Sequence, residues 1–311
     1  MNYFKEQAAV FFTLFTAFDL FFLYERLWIP AGVFGGCIFL GIMIIAFPTA
    51  DIDEQEYKDI YGDDANPHSA EQPTYLQYDG NALRFSNDDM RAMLSKHLPY
   101  FTSLTFSAQQ RFIERVNVFI NDKTFRIHDK SGFREMPVLI SACAIQLSFG
   151  LEKYLLPHFK IINIYPAEFI LTTPTIRFLE GNVGGSSINI SWKYFLEGFE
   201  LPGDGQNVGL HEMAHAYYYQ NFGPCDDIDK TFVEHFNNFQ ACGEVVYAQI
   251  CKKDDNLFSD YAKRNFQEFW AESIEHFFEN SAILKLQYPE MYASIVALLH
   301  QDPLENKPGV T

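Results

Sequence analysis

The chain's clearest chemical signal is His211-Glu212-Met213-Ala214-His215. Residues four apart lie one above the other on one face of an α-helix, so both imidazoles can reach a single cation. Neutral imidazole nitrogens bind zinc at about 2.0–2.1 Å, and a catalytic zinc keeps a position open for water. Glu212 stands beside the first histidine, where its carboxylate can take a proton from that water. The expected chemistry is peptide-bond hydrolysis, with one zinc per chain held by His211 and His215 and Glu212 as general base. The surrounding segment reads as a helix that starts near Asn207 and stops at Gly223-Pro224.

A mononuclear site needs a third ligand from elsewhere in the chain. Glu234 follows His215 at a gap familiar from peptidases whose ligand helix comes directly after the motif, with Asn238 four positions on. The other candidates lie on the helix expected over residues 261–278. There Glu268, Glu272 and Glu275 fall at i, i+4 and i+7, an acidic stripe in a segment rich in Phe and Trp. Burying such a stripe is costly unless something positive faces it. An open-site zinc needs only three protein groups, so one carboxylate of Glu268, Glu272 and Glu275 could complete the set and the others would be partners of ligands rather than ligands. Between the motif and this helix, Phe232, Phe236, Phe239 and Val245 give the intervening segment an apolar face of its own.

These side chains need a scaffold. Ser107 reads as the cap of a helix whose buried face carries Phe112, Ile113, Val116 and Phe119. Residues 137–150 form a second, strongly apolar helix. Residues 159–165 and 187–192 are short β-branched runs of strand type. After Gln206 the pattern is helical in about four segments. The order of helices, a little sheet and more helices predicts an α+β domain, mainly helical with a small β-sheet. Ser187–Ser191 fits either an edge strand that pairs with an extended peptide or a plain core strand. Residues 181–185, with three glycines and no phosphate-binding pattern, read as a flexible loop. His235, His276 and His300 are expected at helix surfaces.

Composition narrows the partners. The chain has 311 residues, 48% hydrophobic, with a formal net charge of −17 and no Lys/Arg-rich stretch. A duplex-binding protein needs a basic footprint, so nucleic acid is not an expected partner. Five cysteines with no CxxC pair do not make a disulfide framework and suit a reducing compartment. Residues 8–24 and 27–47 are apolar runs separated by Glu25 and Arg26, and about 20 apolar residues span a bilayer. They predict a transmembrane helical hairpin, with Tyr24 and Trp28 at the interface. Lys5 and Arg26 nearly tie in positive-inside counting, and the thiols tip the main domain toward the cytoplasm. Residues 51–64 hold seven acidic side chains and one Lys, which suits a solvated tether.

Several stretches resemble the Mlc titration factor A (MtfA) family of zinc-dependent peptidases. They are residues 105–120, residues 137–169 ending in Ile-Tyr-Pro-Ala-Glu-Phe, the 211–215 motif, and residues 261–278. The tail from Tyr288-Pro289 to His300-Gln-Asp-Pro-Leu304 is similar as well. The resemblance covers residues 83–304 and implies a zincin-like core related to the lethal-factor catalytic domain. It implies His211, His215 and Glu268 as zinc ligands, Glu212 as general base and Tyr261 as the oxyanion-stabilising tyrosine. It also implies a protein regulator among the partners, although the hairpin and tether depart from the soluble cytosolic members of that family. The expected organisation is a membrane anchor (1–50), an acidic linker (51–82), a zinc peptidase domain (83–304) and a tail (305–311). The expected function is a membrane-tethered zinc metallopeptidase of the gluzincin type, at the cell membrane and facing the cytoplasm. The alternative is a tethered regulator-binding protein whose zinc site is vestigial or structural.

Overall fold

The structure is a computed structural model. It describes residues 75–308, apart from 130–131, 133–134, 173–175, 201–202, 204, 253–256 and 306. The apolar runs at 8–24 and 27–47 and residues 51–74 of the expected linker lie outside the described residues, while Leu76–Asp79 of that linker form a strand of the main sheet. Among those described, no helix is long and apolar enough to cross a membrane.

Strand β1 (Leu76–Asp79) is followed by helices α1 (Asn87–His97), α2 (Pro99–Ser103) and α3 (Phe106–Asp122). The buried face of α3 carries Phe112, Ile113, Val116, Phe119 and Ile120, the spacing of one helical stripe. Its cap is Thr105, whose hydroxyl accepts from the Ala108 amide at 3.3 Å, so the Ser107 expected in that role sits inside the first turn. Strand β2 (Thr124–Ile127) leads to α4 (Glu135–Ser148), in which every residue from Met136 onward is buried. A helix apolar on all sides belongs in the middle of a domain. It also provides the crossover between parallel strands β2 and β3 (Ile161–Tyr165).

The chain then forms a separate hairpin, β4 (Phe169–Thr172) with β5 (Ile176–Leu179), before β6 (Gly181–Gly184) and β7 (Ser187–Ser191). The main sheet has the order β1-β2-β3-β7-β6, with β2, β3 and β7 parallel and β1 and β6 antiparallel at the two edges. Phe125, Ile127, Ile162, Ile164, Ile188 and Ile190 point into the core. On the opposite face Arg126, Asn163, Asn189 and Asn182 stand in one rung, in which Asn163 Nδ2 donates a hydrogen bond to Asn189 Oδ1 at 2.7 Å.

Of the two readings open for Ser187–Ser191, the plain core strand is the one found: β7 is hydrogen-bonded on both sides. One expectation is corrected here: residues 181–184, expected in a flexible loop, form an edge strand. Glycine weakens a strand unless something must approach its backbone closely, and the glycines hid this one.

Helices α5 (Trp192–Glu200), α6 (Val208–Phe222), α7 (Lys230–Ile250), α8 (Phe266–Glu279), α9 (Ser281–Gln287) and α10 (Pro289–Leu299) follow, so among the described residues five α-helices come after Gln206 where about four were expected. Helix α6 is the hub, packed on α4, α5, α7, α8, β6 and β7. Its Gly209 makes this possible. A Cβ there would stand 2.6 Å from the Phe195 ring and 2.7 Å from Cys143 Sγ. The buried face of α7 runs Phe232, Phe236, Phe239, Gly243, Val246 and Ile250, while Val245, expected on it, is exposed. Phe236 and Phe239 meet the buried Trp270 of α8 edge-on, with ring centroids 5.1 and 5.0 Å away. Such pairs add roughly 0.5–1.5 kcal/mol each beyond the area they bury. Trp270 Nε1 also donates to the Ala214 carbonyl of α6 at 3.0 Å, which locks together the helices carrying the two halves of the site.

Candidate metal centre

Helix α6 is capped by Asn207, whose side chain accepts from the Leu210 amide at 3.0 Å. One turn in, His211 and His215 project from the same face. Helix α8 is capped by Asn265, which accepts from the amides of Gln267 and Glu268 and so fixes the first turn that presents Glu268. The two imidazoles and this carboxylate converge. His211 Nε2 and His215 Nε2 lie 3.1 Å apart, and Glu268 Oε2 is 3.1 Å from the first and 3.0 Å from the second. Tetrahedral zinc with bonds of about 2.05 Å would separate its ligand atoms by about 3.3 Å, so the spacing suits that ion.

The tautomers strengthen the case. His211 Nδ1 lies 2.7 Å from Glu275 Oε1, which can only accept, so Nδ1 carries the proton and Nε2 presents a lone pair. That lone pair faces a carboxylate oxygen and a second imidazole nitrogen. An acceptor-rich cluster of this kind calls for positive charge at its centre, from a proton or a cation. A ligating histidine characteristically donates its other ring N–H to a carboxylate in this way. The charges respond accordingly. Burial disfavours charge on His211, but Glu275, with Glu268, outweighs it and holds its pKa well above the usual value. Burial lowers His215, only partly offset by Glu268. Glu268 would be raised by burial, yet the two imidazoles hold it down at about 2.

The acidic stripe of α8 divides into three tasks. Glu268 joins the cluster. Glu275 accepts from His211 and, through its other oxygen, from the Asn207 amide at 2.5 Å, tying α8 to the start of α6. Glu279 adds a bond from Asn207 Nδ2 at 3.0 Å. Glu272 accepts from the Ser259 amide and hydroxyl, and Ser259 Oγ in turn accepts from the Tyr261 amide at 2.9 Å. Tyr261 is thereby set at the mouth of the site. Its ring lies 6.1 Å from that of His211, and the Arg264 guanidinium sits 4.2 Å from its ring centroid. Burial, then Glu268, raises its pKa, so the phenol stays a donor.

Glu212, next to His211 on α6, lies against the first residue of β6 and within the field of His211, Glu268 and Glu275. It is 5% exposed, its Oε2 has no hydrogen-bond partner, and burial pushes its pKa up to about 8 although His211 pulls it down. Glu234, the rival third ligand, is exposed on α7 and outside the cluster. His276, expected at a surface, is buried beneath Phe258, while His235 and His300 are half-buried and face each other at 5.4 Å. Sequence reasoning did not find Ser259 or Gly181 as parts of the site. Asn207 was legible only as a helix start.

Comparison with known proteins adds an independent line. An uncharacterized protein of Synechocystis is 24% identical over 236 residues, covering 70% of this chain and 85% of its own length. The family model for glucose-regulated metallo-peptidase M90 matches residues 81–300, which contain strands β2 to β7, the helical hub and the three converging side chains. This chain therefore belongs to the M90 family of glucose-regulated metallo-peptidases.

Proposed function

We propose that the chain is a zinc peptidase of the gluzincin type, close to the MtfA branch of its family. The observation that carries this reading is the convergence of His211, His215 and Glu268 within bonding reach of one cation, with a buried, unpaired carboxylate on the same helix. Zinc bound there would supply a water acidified toward neutral pH and a polarised scissile carbonyl.

The chain's own residues do the rest. Glu212 accepts the proton at its carboxylate and delivers it to the leaving amine. The Tyr261 hydroxyl donates to the carbonyl oxygen as negative charge develops on it, a contact of the kind worth about 3 kcal/mol. Glu275 holds the His211 ring in the tautomer that offers Nε2. An extended peptide or protein segment lies along the free edge of β6 and pairs with its backbone, which brings the bond to be cut past Glu212. A purely regulator-binding protein would have no use for a buried base in this position.

The test is a purified full-length protein assayed on aminoacyl-chromogenic and longer peptides. A chelator should abolish hydrolysis, and one equivalent of zinc should restore it. Hydrolysis that survives complete metal removal would rule the reading out.

We further propose that residues 8–47 anchor the chain as a helical hairpin, with residues 83–304 in the cytoplasm. The two apolar runs and the cysteines support this. A C-terminal fusion to a phosphatase that is active only after export should be silent. A bright signal would reverse the orientation or remove one span.

A further inference from the structure

Glu212 has an unusual support. Its carboxylate is buried and Oε2 finds no donor, so hydrogen bonding does not aim it. What lies against it is the bare Cα of Gly181, the first residue of edge strand β6. A Cβ at that position would come within 2.4 Å of Glu212 Oε1, 2.6 Å of Cγ and 2.7 Å of the carboxyl carbon. Real side chains do not approach so closely, so one of the two would have to move. The backbone of Gly181 is not in the left-handed region, so its conformation is open to any residue. The space taken by Glu212 is the reason a side chain is excluded. Gly181 pairs with Ile190 of β7, which is fully buried and paired in turn with buried Ile164 of β3, so this end of the strand has little freedom to retreat.

We propose that Gly181 is a positioning residue for the reaction: its missing side chain forms the slot that sets where the Glu212 carboxylate stands. This rests on the reading of Glu212 as the base. The strand thus has two tasks, a free edge for the peptide and a flat inner face that aims the proton acceptor. A methyl group at residue 181 would displace the carboxylate by about an ångström, and misplacement on that scale can cost about 100-fold in rate. The ligands His211, His215 and Glu268 lie outside the clash.

The test is a double-mutant cycle in the full-length zinc-loaded enzyme, reading kcat, KM, metal content and melting temperature. Gly181→Ala should keep one zinc per chain and a KM within a few-fold of wild type while kcat falls about 100-fold. Glu212→Asp, one methylene shorter, should also lose kcat because its carboxylate no longer reaches. In Gly181→Ala/Glu212→Asp the shorter side chain vacates the volume the methyl occupies. The combined loss should then be no greater than that of either single variant, where independent effects would multiply to about 10,000-fold. If Gly181→Ala lowers the melting temperature, the double variant should recover it. Unchanged kcat in Gly181→Ala overturns the proposal, as do multiplicative losses, a change confined to KM, or, where Gly181→Ala melts lower, a double variant that does not recover. Failure of the underlying reading looks different. In that case Glu212→Gln would retain wild-type turnover, whatever substitution stands at residue 181.

Discussion

Glu268→Ala is expected to empty the metal site and abolish hydrolysis, while Glu234→Ala leaves both at wild-type levels. The two glutamates are the rival third ligands, and their surroundings separate them. Glu268 Oε2 stands 3.1 and 3.0 Å from the two imidazole nitrogens, and Glu234 is exposed on another helix. Removing a partner that only orients a ligand typically costs 10–100-fold in metal affinity. Removing the ligand itself should cost more, leaving two histidines against water. Zinc content after dialysis against a weak chelator reads this directly. The reverse pattern, an empty Glu234→Ala and a loaded Glu268→Ala, would move the third ligand to α7 and break the assignment of α8. Apart from the metal, Glu268→Ala also removes the carboxylate that faces two imidazoles. The metal-free variant should nonetheless remain folded, because Trp270, Phe236 and Phe239 hold α8 in place without it.

How much of this was legible in the sequence depends on the length of each signal. The histidine pair is a local pattern. Helical spacing alone places both rings on one face, and Asn207 and Gly223 mark the ends of that helix. The acidic stripe of α8 is local too, and its cost of burial foretells positive partners. Which carboxylate meets which partner is not local. It depends on α8 crossing α6 so that Glu275 reaches His211 and the Asn207 amide, contacts more than sixty residues apart in the chain. The strand β6 was illegible for a different reason. Gly-Asn-Val-Gly carries no β-branched alternation, and Gly181 answers to a contact with Glu212 that only the folded chain creates. The apolar face of α7 shows the ordinary limit of periodicity. Val245 and Val246 are equivalent in composition, and one step of helical phase decides which is buried.

Glu212→Gln should retain one zinc per chain and lose turnover by about 100- to 10,000-fold, the usual contribution of a positioned general base. The amide has the same shape as the carboxylate and fits the slot beneath Gly181, but it cannot accept the proton. The fold should not suffer. Glu212 is buried with an unpaired oxygen, and its pKa rises from 4.5 to about 8 when metal is absent. A carboxyl whose folded pKa is raised has its full stability at low pH. It loses stability as pH rises from the unfolded value toward the folded one, because the unfolded chain can ionise and the folded site resists. Metal-free wild type should therefore lose stability between about pH 4.5 and 8 relative to Glu212→Gln, whose amide does not titrate there. Melting temperatures of the two metal-free proteins across that range measure the difference, which should widen with pH and then level off above 8. Wild-type turnover in Glu212→Gln would assign the base elsewhere. A constant gap in melting temperature would mean that the carboxylate is not held away from water as the structure places it.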